Sequence, residues 1–247
     1  MKYRELCIIL ACLLCMLSGC SSPSTSDSAP GPTATAFIPT PTPTVQPTPM
    51  TDSDIAQAMV RTLSLDQKLG QMVIVEFYGP ASNADLTQMI QASQVSGVLI
   101  ENKNGNAQTR SQLVALNRSM QSQAHIPLFI STDFEGGVVN ELRRITGEQI
   151  SESAIGATHD PQVAYNAGHN AAAALTALGL NVNFMPIVDV LTNQNNPGLP
   201  MRTFGSTPAL VTTMGRAYLK GLAAGGVVGC LKHFPGLGSA NLDPHRS

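Results

Sequence analysis

Apolar residues fall into two rhythms along most of the chain. Short, nearly continuous apolar runs occupy residues 72–77, 97–100, 127–131, 182–190 and 227–231. Runs of that length, with turn-forming residues close by, predict strands. The last of them, Val227-Val228-Gly229-Cys230-Leu231, follows Gly225-Gly226 and predicts a strand buried on both faces. Between the runs, residues 83–92, 107–124, 161–178 and 208–223 carry apolar positions at helical spacing. Pro161 after Asp160 suits a first helical turn, and Gly179 suits a helix stop. Further upstream, Thr51-x-x-Asp54 and Ser64-x-x-Gln67 have the form of capping boxes and predict two helix starts. Strands alternating with helices predict a parallel α/β domain over residues 51–247. Five such units are too few for an eight-fold barrel, which takes about 250 residues. A barrel would therefore lack its last three units here, and a complete smaller α/β fold is the alternative.

The first fifty residues follow neither rhythm. Met1-Lys2-Tyr3-Arg4 is basic and precedes an apolar stretch over residues 7–17. A membrane-spanning helix needs about 20 residues, so the stretch predicts a signal-peptide core. It ends in Leu17-Ser18-Gly19-Cys20, which resembles a bacterial lipobox. Residues 1–20 then form a lipoprotein signal peptide, with Cys20 as the lipidated residue after cleavage. The resemblance implies an exported chain anchored to the membrane by lipid, on its extracellular or periplasmic face. An ordinary signal peptide, cut a few residues later, is the alternative. Residues 21–50 are Ser, Thr and Pro with almost no large apolar side chains, a composition that predicts a disordered linker. In the polyproline conformation, at ~3.1 Å per residue, such a linker reaches on the order of 90 Å. Cys7, Cys12, Cys15 and Cys20 lie in the leader, so Cys230 is the one cysteine of the domain. Its place inside an apolar run predicts a buried, inert thiol.

Charge and composition narrow the chemistry. Formal net charge is -2 with 12% charged residues, so nothing in the sequence provides the basic surface that nucleic acid requires. There is no Trp, which disfavours a broad stacking platform and favours a pocket for one terminal sugar. No Cys/His spacing predicts a metal site, and no glycine-rich phosphate loop predicts a cofactor.

Candidate chemistry gathers where predicted strands end. Lys232 and His233 leave the 227–231 run and enter a loop shaped by Pro235, Gly236 and Gly238, which returns Asp243 and His245. A carboxylate that accepts from one imidazole nitrogen fixes the tautomer and raises the basicity of the other, which suits proton transfer near neutral pH. Taken singly, these residues read as a solvated rim and a turn; together they define a candidate site. Asp133 leaves the 127–131 run on the same predicted edge, where ligands bind in α/β barrels and open sheets. Asp133 alone would suit a turn cap, and Arg202 a surface ion pair. Asp189 ends a strand and either caps the next loop or lines the site, while Glu135 braces the Gly136-Gly137 turn.

These segments carry a resemblance. Lys232-His233-Phe234-Pro235-Gly236-x-Gly238 with Asp243-x-His245, Asp133-Phe134-Glu135-Gly136-Gly137, residues 183–190 and Arg202-Thr203-Phe204-Gly205 are similar to motifs of the glycoside hydrolase family 3 catalytic domain, in its β-N-acetylhexosaminidase branch. The resemblance covers most of residues 60–247 and implies a (β/α)8 TIM-barrel fold with about the first five units present. It implies retaining hydrolysis of terminal β-linked N-acetylhexosamine from N-acetylglucosamine-containing glycans such as peptidoglycan or chitin fragments, without a cofactor or metal. It implies His245 as acid/base with Asp243 as its partner, and Asp133, Arg202, Lys232 and His233 as sugar-binding residues. The nucleophilic aspartate of the family follows a later strand, beyond Ser247. Leu237 stands where histidine is common, Pro244 where serine is common, and Val138-Val139-Asn140 replace a more basic run. A lipoprotein that only binds a sugar, and a β-glucosidase of the same family, are the alternatives.

Overall fold

A computed structural model describes residues 50–242 of the chain. The lipobox with Cys20, the linker up to residue 49, and the Asp243 and His245 pair lie outside the described residues.

Both predicted capping boxes are present. The Thr51 hydroxyl accepts from the Asp54 N–H at 3.2 Å while the Asp54 carboxylate accepts from the Thr51 N–H at 3.0 Å, and helix α1 (Asp52–Thr62) begins there. Ser64 and Gln67 repeat the exchange at 3.2 and 2.9 Å to open α2 (Leu65–Gly70). Strand β1 (Ile74–Glu76) leads to α3 (Ala84–Gln91), then β2 (Gly97–Ile100) to α4 (Arg110–Gln123) and β3 (Phe129–Thr132). An antiparallel hairpin follows, β4 (Phe134–Gly136) with β5 (Val139–Asn140), then the short helices α5 (Arg143–Thr146) and α6 (Glu152–Gly156). The chain continues through α7 (Pro161–Thr176), β6 (Val182–Asn183), α8 (Pro208–Ala224) and β7 (Val228–Gly229). Asn83, Thr109, Ser151, Asp160 and Thr207 each cap the helix they precede with a side-chain oxygen.

The main sheet runs β1-β2-β3-β6-β7, and every neighbouring pair is parallel. Strand order thus follows chain order without reversal. A doubly wound sheet reverses at a switch point; a barrel does not, so these are five units of a TIM-barrel type fold. Val98, Ile100 and Ile130 from the strands, and Met185 and Ile187 from the segment after β6, pack with Leu113, Met120, Leu175 and Leu222 from the helices, all essentially inaccessible to solvent. Helices α7 and α8 pack without a side chain between them at two points. A Cβ on Gly168 would sit 2.2 Å from the Tyr218 carbonyl oxygen, and one on Gly221 would sit 2.1 Å from that of Tyr165.

Two strand expectations are corrected. Residues 227–231 are not buried on both faces: Val227 is buried, but Val228 is 56% and Leu231 52% exposed, and Cys230 is also exposed. The reason is position, because β7 is at the sheet edge and pairs only with β6 among the described residues. Residues 182–190 pair as a strand only at Val182–Asn183. Pro186 has no N–H for the ladder, and pairing resumes at Ile187 as one parallel bridge to Lys232. No helix among the described residues is long and apolar enough to cross a membrane.

Candidate functional site

The C-terminal ends of β3, β6 and β7 deliver the site. Thr132 ends β3, so Asp133 is its first residue beyond the ladder and Glu135 lies within β4, turned back by the hairpin. The turn is glycine because the close approach demands it: Gly136 has φ 84° and its Cβ would lie 2.2 Å from the Ile150 carbonyl oxygen. Asn183 of β6 clamps this hairpin, accepting from the Phe134 N–H at 3.1 Å and donating to the Phe134 carbonyl at 3.2 Å. Lys232 and His233 follow β7, and the peptide bond between them is cis.

Glu135 is the electrostatic centre. Its side chain is almost inaccessible, and it accepts two bonds from one guanidinium, Arg202 Nε at 2.8 Å and Nη2 at 2.9 Å. Lys232 Nζ lies 2.6 Å from the same carboxylate and 2.5 Å from Asp133 Oδ1. Bidentate guanidinium and ammonium contacts of this kind are strong because both partners are charged and shielded from water. Burial alone would raise the Glu135 pKa, but the Arg202 hydrogen bonds and the charges of Lys232 and Arg202 outweigh it and hold the carboxyl below the ordinary glutamate range. Burial works against the charge on Arg202, and its bonds to Glu135 overcome that and raise its pKa. Arg202 is therefore no surface ion pair but a shielded one, and Glu135 anchors two cations rather than bracing the glycine turn.

Asp189 organises the other half. Its Oδ2 is 2.7 Å from His233 Nδ1 and accepts from the His233 backbone N–H at 3.2 Å, while Oδ1 accepts from the Leu237 N–H at 2.6 Å. Burial pushes its pKa up, but the bonds from His233 and Leu237 outweigh it and bring the carboxyl below the usual aspartate range. An ionised carboxylate can only accept, so Nδ1 of His233 carries the proton and Nε2 keeps a lone pair. Thr203 Oγ1 donates to the Asp189 carbonyl, tying the Arg202 loop to the same segment. Asp189 is itself buried and reaches the rim only through His233.

A donor and acceptor count shows what the cluster can still do. Arg202 has five N–H groups; Glu135 takes two and the Gly198 carbonyl one at 3.2 Å, leaving two. Lys232 has one N–H beyond those directed at Asp133 and Glu135. Asp133 keeps Oδ2, and its side chain is 26% exposed. Among the described residues this leaves an acceptor flanked by donors and one imidazole nitrogen, a set that suits adjacent hydroxyl and amide groups. No group of His, Cys, Asp and Glu able to hold a metal ion occurs among the described residues.

The structure brings together Asp133, Arg202 and Lys232 around Glu135, from segments far apart in the chain, and bonds His233, the residue after Lys232, to Asp189. Sequence reasoning gave Glu135 no ionic role and gave Glu152 none at all. Glu152 had no signal beyond standing after the helix-capping Ser151.

A partial parallel barrel with a cationic and carboxylate cluster at the strands' C-terminal rim defines a TIM-barrel-type protein whose candidate site is at the edge where the fold usually holds ligands. The chain belongs to the glycosyl hydrolase family 3 N-terminal domain family, whose model matches residues 64–247. It is 37% identical over 170 residues to β-hexosaminidase A of Pseudoalteromonas piscicida, covering 65% of this chain and 28% of that protein. A glycoside hydrolase family 3 β-N-acetylglucosaminidase from Paenibacillus sp. str. FPU-7 superposes with TM-score 0.69 at 35% identity, over 74% of this chain and 35% of that one. NagZ from Neisseria gonorrhoeae, in complex with N-trifluoroacetyl-D-glucosamine, superposes with TM-score 0.63 at 25% identity, over 71% of this chain and 53% of that one. The chain thus spans between about a quarter and a half of the length of these relatives.

Proposed function

We propose that the chain carries the sugar-holding part of an exported glycoside hydrolase that removes terminal β-linked N-acetylhexosamine from peptidoglycan or chitin fragments. The observation that supports this reading is the rim cluster, in which Asp133, Arg202, Lys232 and His233 meet with unspent donors and acceptors. In the proposed complex Asp133 Oδ2 accepts from a sugar hydroxyl, while Arg202 and Lys232 donate to hydroxyl or amide oxygens. The membership of the family and the names of the relatives support the choice of N-acetylated sugar.

His245, assisted by Asp243, is the proposed general acid. It protonates the leaving oxygen as the bond to the anomeric carbon breaks, then as base takes a proton from the water that releases the sugar. The nucleophilic aspartate of this retaining reaction belongs to a further barrel unit, beyond residue 247. Cys20 is the proposed lipid attachment, with residues 21–50 as the tether.

Chromophore release from an aryl β-N-acetylglucosaminide by the full-length protein tests the reading. His245→Ala should cut the rate by about 10²- to 10⁴-fold. Hydrolysis of the aryl glucoside alone, unaffected by His245→Ala, would replace this reading with a β-glucosidase.

A further inference from the structure

Glu152 opens α6, is 1% exposed, and belongs to none of the pairs described above. Its Oε1 accepts from the Ile187 N–H at 3.0 Å, while Oε2, also buried, has no hydrogen-bond partner among the described residues. A buried carboxylate with one empty oxygen is costly, so a fold that keeps one points to a use for it.

Ile187 is where the site's backbone is joined. It bridges to Lys232, with the Lys232 N–H donating to the Pro186 carbonyl at 3.3 Å and the Val188 N–H donating to the Lys232 carbonyl at 2.8 Å. Two residues further on is Asp189, which holds His233. The short helix touches the other segments as well. A Cβ on Gly156 would sit 1.9 Å from the Phe204 carbonyl oxygen, and one on Gly137 would sit 2.7 Å from Ser151 Cβ. Helix α6 therefore underlies the Glu135 turn, the 186–189 segment and the Arg202 loop at once.

We propose that Glu152 is a positioning residue of the sugar site: through the Ile187 N–H it fixes the segment that sets Lys232 against Asp133 and carries Asp189 to His233. The inference rests on the sugar-site reading above. The charged groups that act on Glu152 are Glu135 from β4, Arg202 from its loop and Lys232 beyond β7, and Glu152 in turn acts on Tyr218 of α8. Burial first, and then repulsion by Glu135, outweigh the Ile187 N–H and the two cations, and push the Glu152 carboxyl well above the glutamate range. The sign follows. An acid whose folded pKa is raised is tolerated below its unfolded value and penalised as pH rises towards the folded one. Ionisation of Glu152 sets a second buried negative charge beside Glu135, one that competes with it for Arg202 and Lys232.

The test uses the full-length protein with Glu152→Gln and Glu152→Ala. Two quantities are measured from mildly acidic to mildly alkaline pH: Kd for N-acetylglucosamine by calorimetry, and the Nδ1 proton of His233 by NMR with 15N-histidine. The Ala variant leaves the Ile187 N–H without an acceptor, so it should bind about tenfold more weakly and lose the Nδ1 signal. The Gln variant keeps the acceptor and should retain both, while abolishing the loss of affinity that the wild type shows as pH rises. Wild-type Kd, pH profile and Nδ1 signal in both variants, whatever happens to Tm, overturn the proposal. Should the Ala variant fail to fold, a Gln variant that keeps the wild-type pH profile overturns it. Should the wild type bind no sugar, the functional reading fails instead, and the His233 signal in the Ala variant still decides the role of Glu152.

Discussion

Replacing Glu135 by alanine removes the one carboxylate that Arg202 and Lys232 share. Three close contacts disappear, two from Arg202 at 2.8 and 2.9 Å and one from Lys232 at 2.6 Å. At about 1.5–3 kcal/mol per charge-assisted bond, simple addition gives roughly 5–9 kcal/mol. That sum is too large, because the Arg202 and Lys232 side chains are each 15% exposed and recover part of their hydration, and Lys232 keeps Asp133. Breaking one partner of a shielded pair costs about 3–5 kcal/mol, so a loss of about 4 kcal/mol is expected. For a domain of this size that lowers Tm by about 8–16 °C, read by circular dichroism on the full-length protein. Added salt should change the difference little, since the Glu135 side chain is 1% exposed. The pH dependence has a defined sign. The folded Glu135 pKa lies below its unfolded value, so its contribution is complete above the unfolded value and is lost as pH falls through the folded one. The wild-type and Glu135→Ala stability curves should therefore converge in acid. A loss below about 1 kcal/mol, or a gap that stays constant into acid, refutes the shielded-pair argument.

Two further outcomes follow from the same geometry. Asp189→Ala strips an acceptor from three N–H groups, on His233 Nδ1, the His233 backbone and Leu237, and should cost at least about 2 kcal/mol in urea unfolding, with the difference from wild type fading as acid protonates the low-pKa Asp189 carboxyl. Gly168→Ala places a Cβ 2.2 Å from the Tyr218 carbonyl oxygen and forces α7 and α8 apart, so it should lower Tm despite alanine's better helix propensity; a rise in Tm contradicts the close crossing.

What the sequence made legible was whatever depended on local chemistry. Thr51 with Asp54 and Ser64 with Gln67 announced their helices because a capping box is complete within four residues. The strand at 97–100 and the helix beginning at Pro161 were readable for the same reason. The exposure of Val228 and Cys230 was not, since the apolar run says nothing about whether a neighbour stands on both sides of the strand. The hairpin at Glu135 was missed as well. Its two strands are three and two residues long, too short for alternation to register, and Asn183, far away in sequence, holds them. Of the site, the motif residues Asp133, Arg202, Lys232 and His233 were legible. The partner choices were not, because a carboxylate in a sequence carries no mark of which cation will find it, and Glu152 stands outside every motif.

The ion pairs of the rim also set an order of events when the chain is made. Glu135 lies 67 residues before Arg202, and Asp133 lies 99 residues before Lys232. At about 5–20 residues per second, the Asp133 carboxylate spends on the order of 5 to 20 seconds in the nascent chain before Lys232 is synthesised. During that interval it must stay hydrated, for no shielded cation exists to receive it, and β3 cannot yet be sealed at its outer end. The first β-α units can settle early, while the ion pairs of the rim must wait for Arg202 and Lys232. An intermediate caught before residue 232 would hold a sheet without its site.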